Sequence, residues 1–351
     1  MNQKIRIGIL FGGRSGEHEV SLMSARSVLR VLNPDRYEIY PIGITHTGMW
    51  LAGDGALDAL EKGAIEHLTP VTLLPQPGTH MLFALDGQTL RPYAELDVIF
   101  PILHGTYGED GTLQGLFELI GLPYVGSGVL ASSVGMDKAL FKEVMRASGI
   151  PVLDSITLTR RQVEKDVMAA IAACEKVSEY PLFTKPANLG SSVGITKVRN
   201  RSDLYEGLLE ASRFDRRVLV ERGLQKPREI EISVLGNDQP IVSIPGEIRP
   251  SDDFYTYAAK YLDDRSEAII PAPLSESKIE EIRQLALAIY RAVDCAGMAR
   301  IDFLLNPTTE EIFVSEINTI PGFTSISMYP KLWEASGISY PELVDRLVTL
   351  A

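Results

Sequence analysis

Carboxylate, amide and arginine side chains recur at two-residue spacing near the C-terminal end of the chain. Arg300 and Asp302 are separated by one isoleucine, and Glu316 and Asn318 are separated by another. Side chains alternate between the two faces of a strand, so each pair is predicted to share one face. These oxygen ligands suit Mg²⁺ that holds nucleotide phosphates and suit zinc or copper poorly. The spacing predicts a metal-dependent phosphoryl-transfer site, with a hydrated strand end as the alternative.

The elements that carry these pairs are predicted to be adjacent strands. The connection at 306–310 is short, which favours a hairpin. Ile312 and Val314 precede Glu316 at the same spacing of two, so the second strand is predicted to have an apolar face that becomes polar as the strand ends. A core strand would in this way deliver metal ligands to a cleft.

The chain opens with a predicted strand at 5–11, a glycine-rich turn and a helix that ends near Leu32. This order predicts an α/β unit with a parallel sheet. The turn at 12–16 lacks the Gly-x-Gly-x-x-Gly spacing that dinucleotide-binding folds use. Glu17 stands at the start of the helix, and its spacing favours a capping carboxylate that interacts with the helix dipole.

The N-terminal unit continues with a predicted strand at 37–44 and a less regular excursion at 51–96, in which Asp86-Gly87 predicts a tight hairpin turn. A further strand at 98–103 leads into the loop His-Gly-Thr-Tyr-Gly-Glu-Asp-Gly. Open α/β sheets bind ligands at this end of their strands. His104, the first residue of the loop, is consistent with a proton carrier, a hydrogen-bond donor or a structural residue.

A second loop rich in glycine and serine follows the predicted helices at 131–148 and 162–177 and a strand at 180–185. Its backbone N–H groups and hydroxyls would wrap phosphates while Lys185 supplies positive charge. The loop does not match the Gly-x-x-x-x-Gly-Lys-Ser pattern, which disfavours a P-loop fold. A flexible hairpin tip is the alternative.

The C-terminal half is predicted to contain strands at 217–220 and 229–236 and a helix at 275–293. Between them, the segment from about 246 to 273 is polar and aromatic and shows no sustained period. A segment of this length in a compact enzyme is typical of a lid or a binding loop. Lys260-Tyr261 would then close over the site, and an exposed basic loop is the alternative.

The length, charge and cysteine content of the chain limit the classes of protein to which it can belong. The 351 residues are many for a single core and predict two or three domains. A formal charge of −12 argues against a nucleic-acid or anionic-membrane surface, because either needs a basic face. Cys174 and Cys295 lie in apolar contexts and are predicted to be buried, reduced thiols. The N-terminal apolar run is too short for a secretory core and no stretch has membrane-spanning length, so a cytoplasmic location is expected.

Seven motifs follow one another along nearly the whole chain: Gly-Gly-x-Ser-x-Glu-x-Glu-Val-Ser at 12–21, His-Gly-x-x-Gly-Glu-Asp-Gly at 104–111, Met-Asp-Lys at 136–138, Lys-Pro-x-x-x-Gly-Ser-Ser-Val-Gly-Ile at 185–195, Tyr-x-x-Lys-Tyr at 257–261, Arg-Ile-Asp-Phe at 300–303 and Glu-Ile-Asn-Thr-x-Pro-Gly-Phe-Thr at 316–324. This ordered set resembles the D-alanine:D-alanine ligases of the ATP-grasp superfamily. Two positions depart from the family pattern: Ala258, where relatives often carry Glu, and Ile320.

The resemblance implies a fold of mixed class, α/β and α+β. An N-terminal Rossmann-like domain at 1–127 would be followed by a two-lobed ATP-grasp fold, with a central lobe at 128–221 and a C-terminal lobe at 222–351. The implied reaction joins two D-alanines into D-alanyl-D-alanine through D-alanyl phosphate, releasing ADP and phosphate, for peptidoglycan precursors. A homodimer is also expected. A D-alanine:D-lactate or D-serine ligase and a non-catalytic ATP-binding regulator are the alternatives.

The resemblance also implies roles for individual residues. Two Mg²⁺ ions, replaceable by Mn²⁺, would be held by Asp302, Glu316 and Asn318. ATP would be bound by Lys138, Lys185, Ser192, Glu221, Glu229, Lys260 and Phe303. The first D-alanine would have its ammonium on Glu17, with Ser191, Tyr261 and His104 nearby. The oxyanion hole would be Arg300 and the N–H of Gly322, and the carboxylate of the second D-alanine would bind Ser327 and Lys260.

Overall fold

Three β-sheets organise the part of the chain that the computed structural model describes, residues 3–190, 193–249 and 267–351. The sheets contain seven, four and six strands and follow one another along the chain. The first sheet has parallel strands on one side, and the other two are antiparallel. The expected mixed fold class is confirmed, whereas the expected domain boundaries stay predictions.

The N-terminal sheet is built from the strands β1 (Ile5–Gly12), β2 (Tyr37–Ile44), β3 (Trp50–Ala52), β4 (Thr69–Leu73), β5 (Met81–Asp86), β6 (Thr89–Glu95) and β7 (Val98–Ile102). Its order is β6-β5-β4-β3-β2-β1-β7, with β1 parallel to β2 and β7. The accompanying helices are α1 (His18–Val31), α2 (Ala56–Lys62) and α3 (Thr112–Ile120). The expected hairpin turn is confirmed, because Asp86 pairs with Thr89.

The segment 51–96 is more regular than its sequence suggested. It supplies most of β3, all of β4 to β6, and α2. Several of these elements are short, three residues in β3 and five in β4. Strands of this length show little periodicity by themselves and depend on antiparallel pairing with their neighbours for their order.

The middle sheet is built from β8 (Ser155–Thr159), β9 (Leu182–Pro186), β10 (Thr196–Val198) and β11 (Arg217–Arg222), in the order β10-β9-β11-β8. The helices of this region are α4 (Val129–Met136), α5 (Lys138–Ala147), α6 (Arg160–Lys165), α7 (Val167–Cys174) and α8 (Arg201–Phe214).

Two predicted helices are each divided in two, the first at Asp137 and the second at Asp166. Asp137 has an extended backbone, and its carboxylate accepts a hydrogen bond from the Leu140 N–H at 2.9 Å. Asp166 caps α7 in the same way through the Ala169 N–H at 2.9 Å. Aspartate is a favoured N-cap residue because it satisfies the free N–H groups of a new helix. The apolar spacing continues across both breaks, so it did not reveal them.

The third sheet is built from β12 (Arg228–Leu235), β13 (Ile241–Val242), β14 (Gly246–Arg249), β15 (Glu267–Ile269), β16 (Met298–Leu305) and β17 (Ile312–Asn318). The remaining helices are α9 (Glu276–Ala292), α10 (Met328–Ala335) and α11 (Tyr340–Leu350). The predicted lid at about 246–273 begins with β14 and contains β15 near its end, and these two strands pair with each other. Residues 250–266 lie outside the described residues.

The C-terminal helices complete the core of the N-terminal sheet. Trp333 of α10 and Leu347 of α11 are buried in the same hydrophobic cluster as Ile7 and Phe100. Phe323 meets Phe100 edge to face, with 5.8 Å between ring centroids. The end of the chain therefore fixes the third sheet against the first, and the loops between them enclose a cavity.

Cys174 and Cys295 are buried free thiols, as predicted. Burial raises the pKa of each to about 12. Among the described residues, no helix combines the length and the apolar character needed to cross a bilayer.

Candidate active site

The β16–β17 hairpin places two charged or amide pairs side by side. Arg300 lies opposite Asn318, and Asp302 lies opposite Glu316. All four residues are partly buried. The predicted hairpin is confirmed, and it unites the two sequence motifs into one cluster.

A β-bulge reverses the expected facing of the apolar residues on β17. Asp302 is paired with Glu316, but Phe303 is paired with Val314, so Ser315 is an extra residue. Glu316 therefore faces away from Val314, and the prediction that the apolar residues before Glu316 share its face is wrong. Phe303 is 1% exposed in the hydrophobic core with Val314. This burial does not support its expected contact with ATP.

The Arg300 guanidinium is held by two carboxylates. It donates to both oxygens of Asp302 at 2.7 Å, and its Nε lies 3.0 Å from Glu231 Oε2. Asn318 Nδ2 also donates to Asp302, at 3.1 Å. Sequence reasoning missed Glu231, although the Glu-Ile-Glu-Ile spacing places it on the same face of β12 as Glu229. The pairing orients Arg300 firmly.

The expected metal ligands fit a hard divalent cation. Asp302 and Glu316 contribute carboxylate oxygens, and Asn318 uses its amide nitrogen on Asp302, which leaves its amide oxygen as the acceptor. Glu316 and Asn318 both line the central cavity. Mg²⁺ prefers such oxygen ligands and keeps several waters or phosphate oxygens besides.

The central cavity collects side chains from all three parts of the chain. Its lining includes Glu17, Glu109, Lys138, Gly190, Arg300, Glu316 and Asn318. Carboxylates and cations share this lining, so the cavity can hold a zwitterionic substrate beside a phosphate. Most of these residues were predicted from the motifs, whereas Glu109 was not.

Glu17 serves the cavity rather than the helix. It is the N-cap residue immediately before α1, but its side chain makes no capping hydrogen bond, so the capping role favoured by spacing alone is wrong. The carboxylate is buried against two glycines, Gly105 and Gly190. A Cβ on either glycine would lie 2.5 Å from Glu17 Oε2. Both positions therefore need glycine if the carboxylate is to stay there.

Both ring nitrogens of His104 lie within hydrogen-bond distance of other protein groups. Nε2 lies 3.0 Å from Ser24 Oγ, and Nδ1 lies 3.0 Å from the Ile320 carbonyl oxygen. Burial lowers the pKa of His104, which keeps the ring neutral near pH 7. These contacts support a structural link to the loop after β17. A role in orienting the first substrate stays a prediction.

Glu109 is a carboxyl group that sequence reasoning missed. Oε2 accepts from the Gly105 N–H at 2.7 Å, and Oε1 accepts from the Ile320 N–H at 3.1 Å. Burial, and then the charge of Glu17, raise the pKa of Glu109 to about 8. Its position in the motif at 104–111 could have indicated a role, but its contact with Ile320 could not be predicted because the two residues are far apart in the sequence.

Lys138 stands at the cavity wall between the Gly/Ser loop and the hairpin. Its Nζ donates to the Leu189 carbonyl at 2.7 Å and lies 3.9 Å from Glu316 Oε2. The ammonium therefore lies between a loop suited to phosphate and a predicted metal ligand. This position agrees with its expected contact with a phosphate oxygen.

Lys185 and Glu221 meet in a buried group with Lys142, which sequence reasoning missed. Lys185 Nζ donates to Glu221 at 2.6 Å, and Lys142 Nζ contacts the other carboxylate oxygen. Burial alone would raise the pKa of Glu221, but the two lysines lower it to about 2. The same carboxylate, with a contribution from Glu229, raises the pKa of Lys185 against the effect of burial. We call Lys142, Lys185 and Glu221 the lysine cluster.

Gly322 and Ser327 lie together in the loop after β17. A Cβ at Gly322 would lie 2.6 Å from Ser327 Oγ. Ser327 Oγ also accepts from the Thr324 N–H at 3.0 Å. The expected residues Ser191, Ser192, Lys260 and Tyr261 lie outside the described residues.

Fold and cavity together define an ATP-grasp enzyme: antiparallel sheets that carry lysines and metal-type ligands, joined to an N-terminal α/β unit. Comparison with known families makes the class specific. The family described as D-ala D-ala ligase N-terminus matches residues 6–127, and D-ala D-ala ligase C-terminus matches residues 144–349. The chain belongs to the D-alanine–D-alanine ligase family.

Individual relatives agree over full length. A D-alanine–D-alanine ligase from Natranaerobius thermophilus is 48% identical over 350 residues, covering 99% of this chain and 95% of that one. Among solved structures, the VanG D-Ala:D-Ser ligase from Enterococcus faecalis has a TM-score of 0.88 at 37% identity, covering 99% of each chain. The D-alanine-D-alanine ligase from Coxiella burnetii has a TM-score of 0.84 at 40% identity, covering 99% of this chain and 93% of that one.

Proposed function

We propose that this protein joins two D-alanines into D-alanyl-D-alanine, with ATP converted to ADP and phosphate. The observation that carries the proposal is the central cavity, where Glu17, Lys138, Arg300 and Glu316 converge from distant parts of the chain. Each supplies a charge that this reaction needs at a different atom. Membership of the family over nearly the whole chain supports the same activity.

In the first step, a carboxylate oxygen of the first D-alanine attacks the γ-phosphorus of ATP, and the bond to the β–γ bridging oxygen breaks. Glu17 holds the ammonium of this D-alanine and so directs its carboxylate toward the phosphate. Lys138 and Lys185 balance the negative charge on the phosphate oxygens. Such a transfer depends on positioning and charge stabilisation more than on covalent help from the protein.

In the second step, the free amine of the second D-alanine attacks the acyl carbon of D-alanyl phosphate. Negative charge develops on the acyl oxygen, where Arg300 and the Gly322 N–H stabilise it. The intermediate then collapses and expels phosphate, while the amine loses its proton. Ser327, whose hydroxyl lies beside Gly322, holds the carboxylate of the second D-alanine together with Lys260.

Asp302, Glu316 and Asn318 would hold the divalent ions, which we take to be two Mg²⁺ ions, with Mn²⁺ as a substitute. When bound, these ions neutralise the phosphates and help to align the transferred group. Glu221 and Glu229 are the proposed contacts on the nucleoside side. Both carboxylate oxygens of Glu221 contact lysines, one Lys185 and the other Lys142, so we propose that Glu221 contributes to the nucleoside side by holding Lys185 in place.

The acceptor is the finer question, because one solved relative is a D-Ala:D-Ser ligase. We propose D-alanine, since the curated relatives at 44–48% identity are D-alanine–D-alanine ligases. We also expect an amine acceptor to be preferred over the hydroxyl of D-lactate at neutral pH.

The test is ADP release from purified protein with ATP and Mg²⁺, in the presence of D-alanine alone or with D-serine or D-lactate, followed by mass analysis of the product. D-alanine-dependent ADP release with the D-alanyl-D-alanine mass is the expected result. A mainly mixed D-alanyl-D-serine product or a depsipeptide would reassign the acceptor. ATP binding without turnover on any D-amino acid would support the non-catalytic regulator instead.

The proposed product is a building block of peptidoglycan precursors, which places the protein in cell-wall synthesis. We also propose a cytoplasmic location, where ATP is available to the enzyme. We further propose a homodimer formed through the N-terminal unit. Sedimentation equilibrium would give twice the chain mass of 38.6 kDa in that case and the chain mass otherwise.

A further inference from the structure

Ile320, in the loop after β17, forms contacts through both its backbone N–H and its carbonyl oxygen with side chains of the loop after β7. The N–H of Ile320 donates to Glu109 at 3.1 Å, and its carbonyl oxygen lies 3.0 Å from His104 Nδ1. We call this pair of contacts the Ile320 bracket. It joins residues more than 200 positions apart, so it fixes the position of the N-terminal unit relative to the third sheet.

The bracket extends on both sides. Toward the N-terminal unit, the second oxygen of Glu109 accepts from the Gly105 N–H, and Gly105 lies against the Glu17 carboxylate. Toward the C-terminal end, Ser24 contacts the His104 ring and accepts from the Phe323 N–H at 3.2 Å. The backbone is therefore held immediately before and immediately after Pro321-Gly322.

We propose that Glu109 is a positioning residue for the second step of the proposed ligation: it holds Ile320, and thereby sets the Gly322 N–H at the developing oxyanion. Glu109 itself need not contact the substrate. The inference rests on the proposed function and adds to it a residue that acts through the backbone of another segment.

The physical case is the precision that an oxyanion hole demands. A donor must lie within hydrogen-bond distance of where the charge develops, and an error of about 1 Å costs on the order of 10²-fold in rate. Gly322 lies in a loop, whose backbone has no ladder of its own to hold it. The carboxyl of Glu109 supplies the missing acceptor, and no nearby side chain is described as a second acceptor for the Ile320 N–H.

The position of the bracket also predicts which step depends on it. The first step uses Lys138 and Lys185, neither of which contacts Glu109 in the described hydrogen bonds, and Glu17, which Glu109 reaches only through Gly105. The second step uses the Gly322 N–H. A loosened bracket should therefore let acyl phosphate form and then slow its capture by the amine, so that water takes its place at the acyl carbon and returns D-alanine and phosphate.

The test compares Glu109→Ala and Glu109→Gln with the unaltered protein, measuring dipeptide formed and ADP released in the same reaction. In Glu109→Ala we expect dipeptide formation to fall by about 10- to 100-fold, with a smaller fall in D-alanine-dependent ADP release. The ratio of dipeptide to ADP then drops well below that of the unaltered protein. Glu109→Gln keeps one acceptor oxygen and should lie between the two.

Glu118→Gln is the matched control. Glu118 is an exposed carboxylate of the same unit whose only described role is to accept from the Tyr124 hydroxyl at 2.7 Å. It should leave both rates and their ratio unchanged. Thermal unfolding of every variant separates a fold effect from a positioning effect.

Four results would decide the matter. A lowered dipeptide-to-ADP ratio in both Glu109 variants supports the inference. An unchanged ratio overturns it, whether the total rate is normal, reduced in proportion, or reduced only by a lower melting temperature. If Glu109→Ala does not fold, the ratio in Glu109→Gln decides in the same way. If the unaltered protein makes no D-alanyl-D-alanine, the proposed function fails and this inference fails with it.

Discussion

Two glutamates, the buried Glu221 of the lysine cluster and the partly buried Glu109 of the central cavity, have opposite ionisation behaviour. Glu221 lies between Lys142 and Lys185, and its pKa is about 2. Glu109 lies between backbone N–H groups and close to the charge of Glu17, and its pKa is about 8. Burial disfavours the charged form of both carboxyls, so their partners decide the outcome. Glu221 is held by paired charges, whereas Glu109 is held by backbone hydrogen bonds.

Because their partners differ, mutation of these two glutamates should have different consequences. Removing a charge from the lysine cluster leaves buried cations without their counterion, which should cost stability. Removing Glu109 should cost catalysis more than stability, because its described hydrogen-bond partners are backbone N–H groups and no cation loses its counterion.

The largest expected effect is on the acyl side. Arg300→Ala should lower turnover by on the order of 10²-fold or more, as loss of an oxyanion donor typically does. Steady-state dipeptide formation measures it. Near-normal turnover in this variant would remove Arg300 from the oxyanion hole. Arg300→Lys keeps the charge but not the two-pronged pairing with Asp302, and should recover only part of the rate.

The next effect is on the phosphate side and concerns stability. Glu221→Gln should destabilise the fold by about 3 kcal/mol, because removing one partner of a buried ion pair exposes the other to its full desolvation cost. Urea unfolding measures it. The control is Glu210→Gln, which removes an exposed partner of Arg213 and should cost less than about 1 kcal/mol. Equal effects in the two variants would contradict the contrast.

A smaller effect is expected at the glycines around Glu17. Gly190→Ala places a methyl group 2.5 Å from the Glu17 carboxylate without requiring a left-handed backbone, and should raise the KM for D-alanine by about 10-fold, the cost of roughly 1.4 kcal/mol in binding. Gly16→Ala is the matched control, since its added Cβ meets nothing within 4 Å. The idea is wrong if both variants keep the original KM.

The pH dependence of stability should also differ between the two carboxyls. Because the pKa of Glu221 is lowered in the folded protein, this carboxylate stabilises the fold at pH values above its ordinary pKa of 4.5. That stabilisation is lost as the pH falls toward about 2. The raised pKa of Glu109 acts in the opposite direction: its contribution is complete below 4.5 and is lost as the pH rises through about 8.

Melting temperatures across this range measure both contributions. Glu221→Gln should weaken the loss on the acid side, and Glu109→Gln should weaken the loss on the alkaline side. Glu118→Gln should leave both unchanged. The assignment of the two carboxyls would be refuted if each variant flattened the same side of the profile.

Several site residues could be predicted because they lie in short motifs on regular elements. The spacing of Arg300, Asp302, Glu316 and Asn318 was enough to place them on one hairpin. Glu109 lies in the His-Gly-x-x-Gly-Glu-Asp-Gly motif, yet nothing in the local sequence distinguishes it from the neighbouring Asp110. Lys142 was missed because it occupies an ordinary position on an amphipathic helix. Its partner Glu221 is brought to it by a different element.

By itself, the sequence determined the alternation of strands and helices, the β16–β17 hairpin and the ordered motifs that resemble one family. These depend on local spacing, turn chemistry and residue type. Only the tertiary structure decided the bulge at Ser315, the helix break at Asp137 and the partners of Glu109 and Glu221. Strand register and burial are set by segments far apart in the chain, and the pKa of a carboxyl follows from the groups that packing brings within reach.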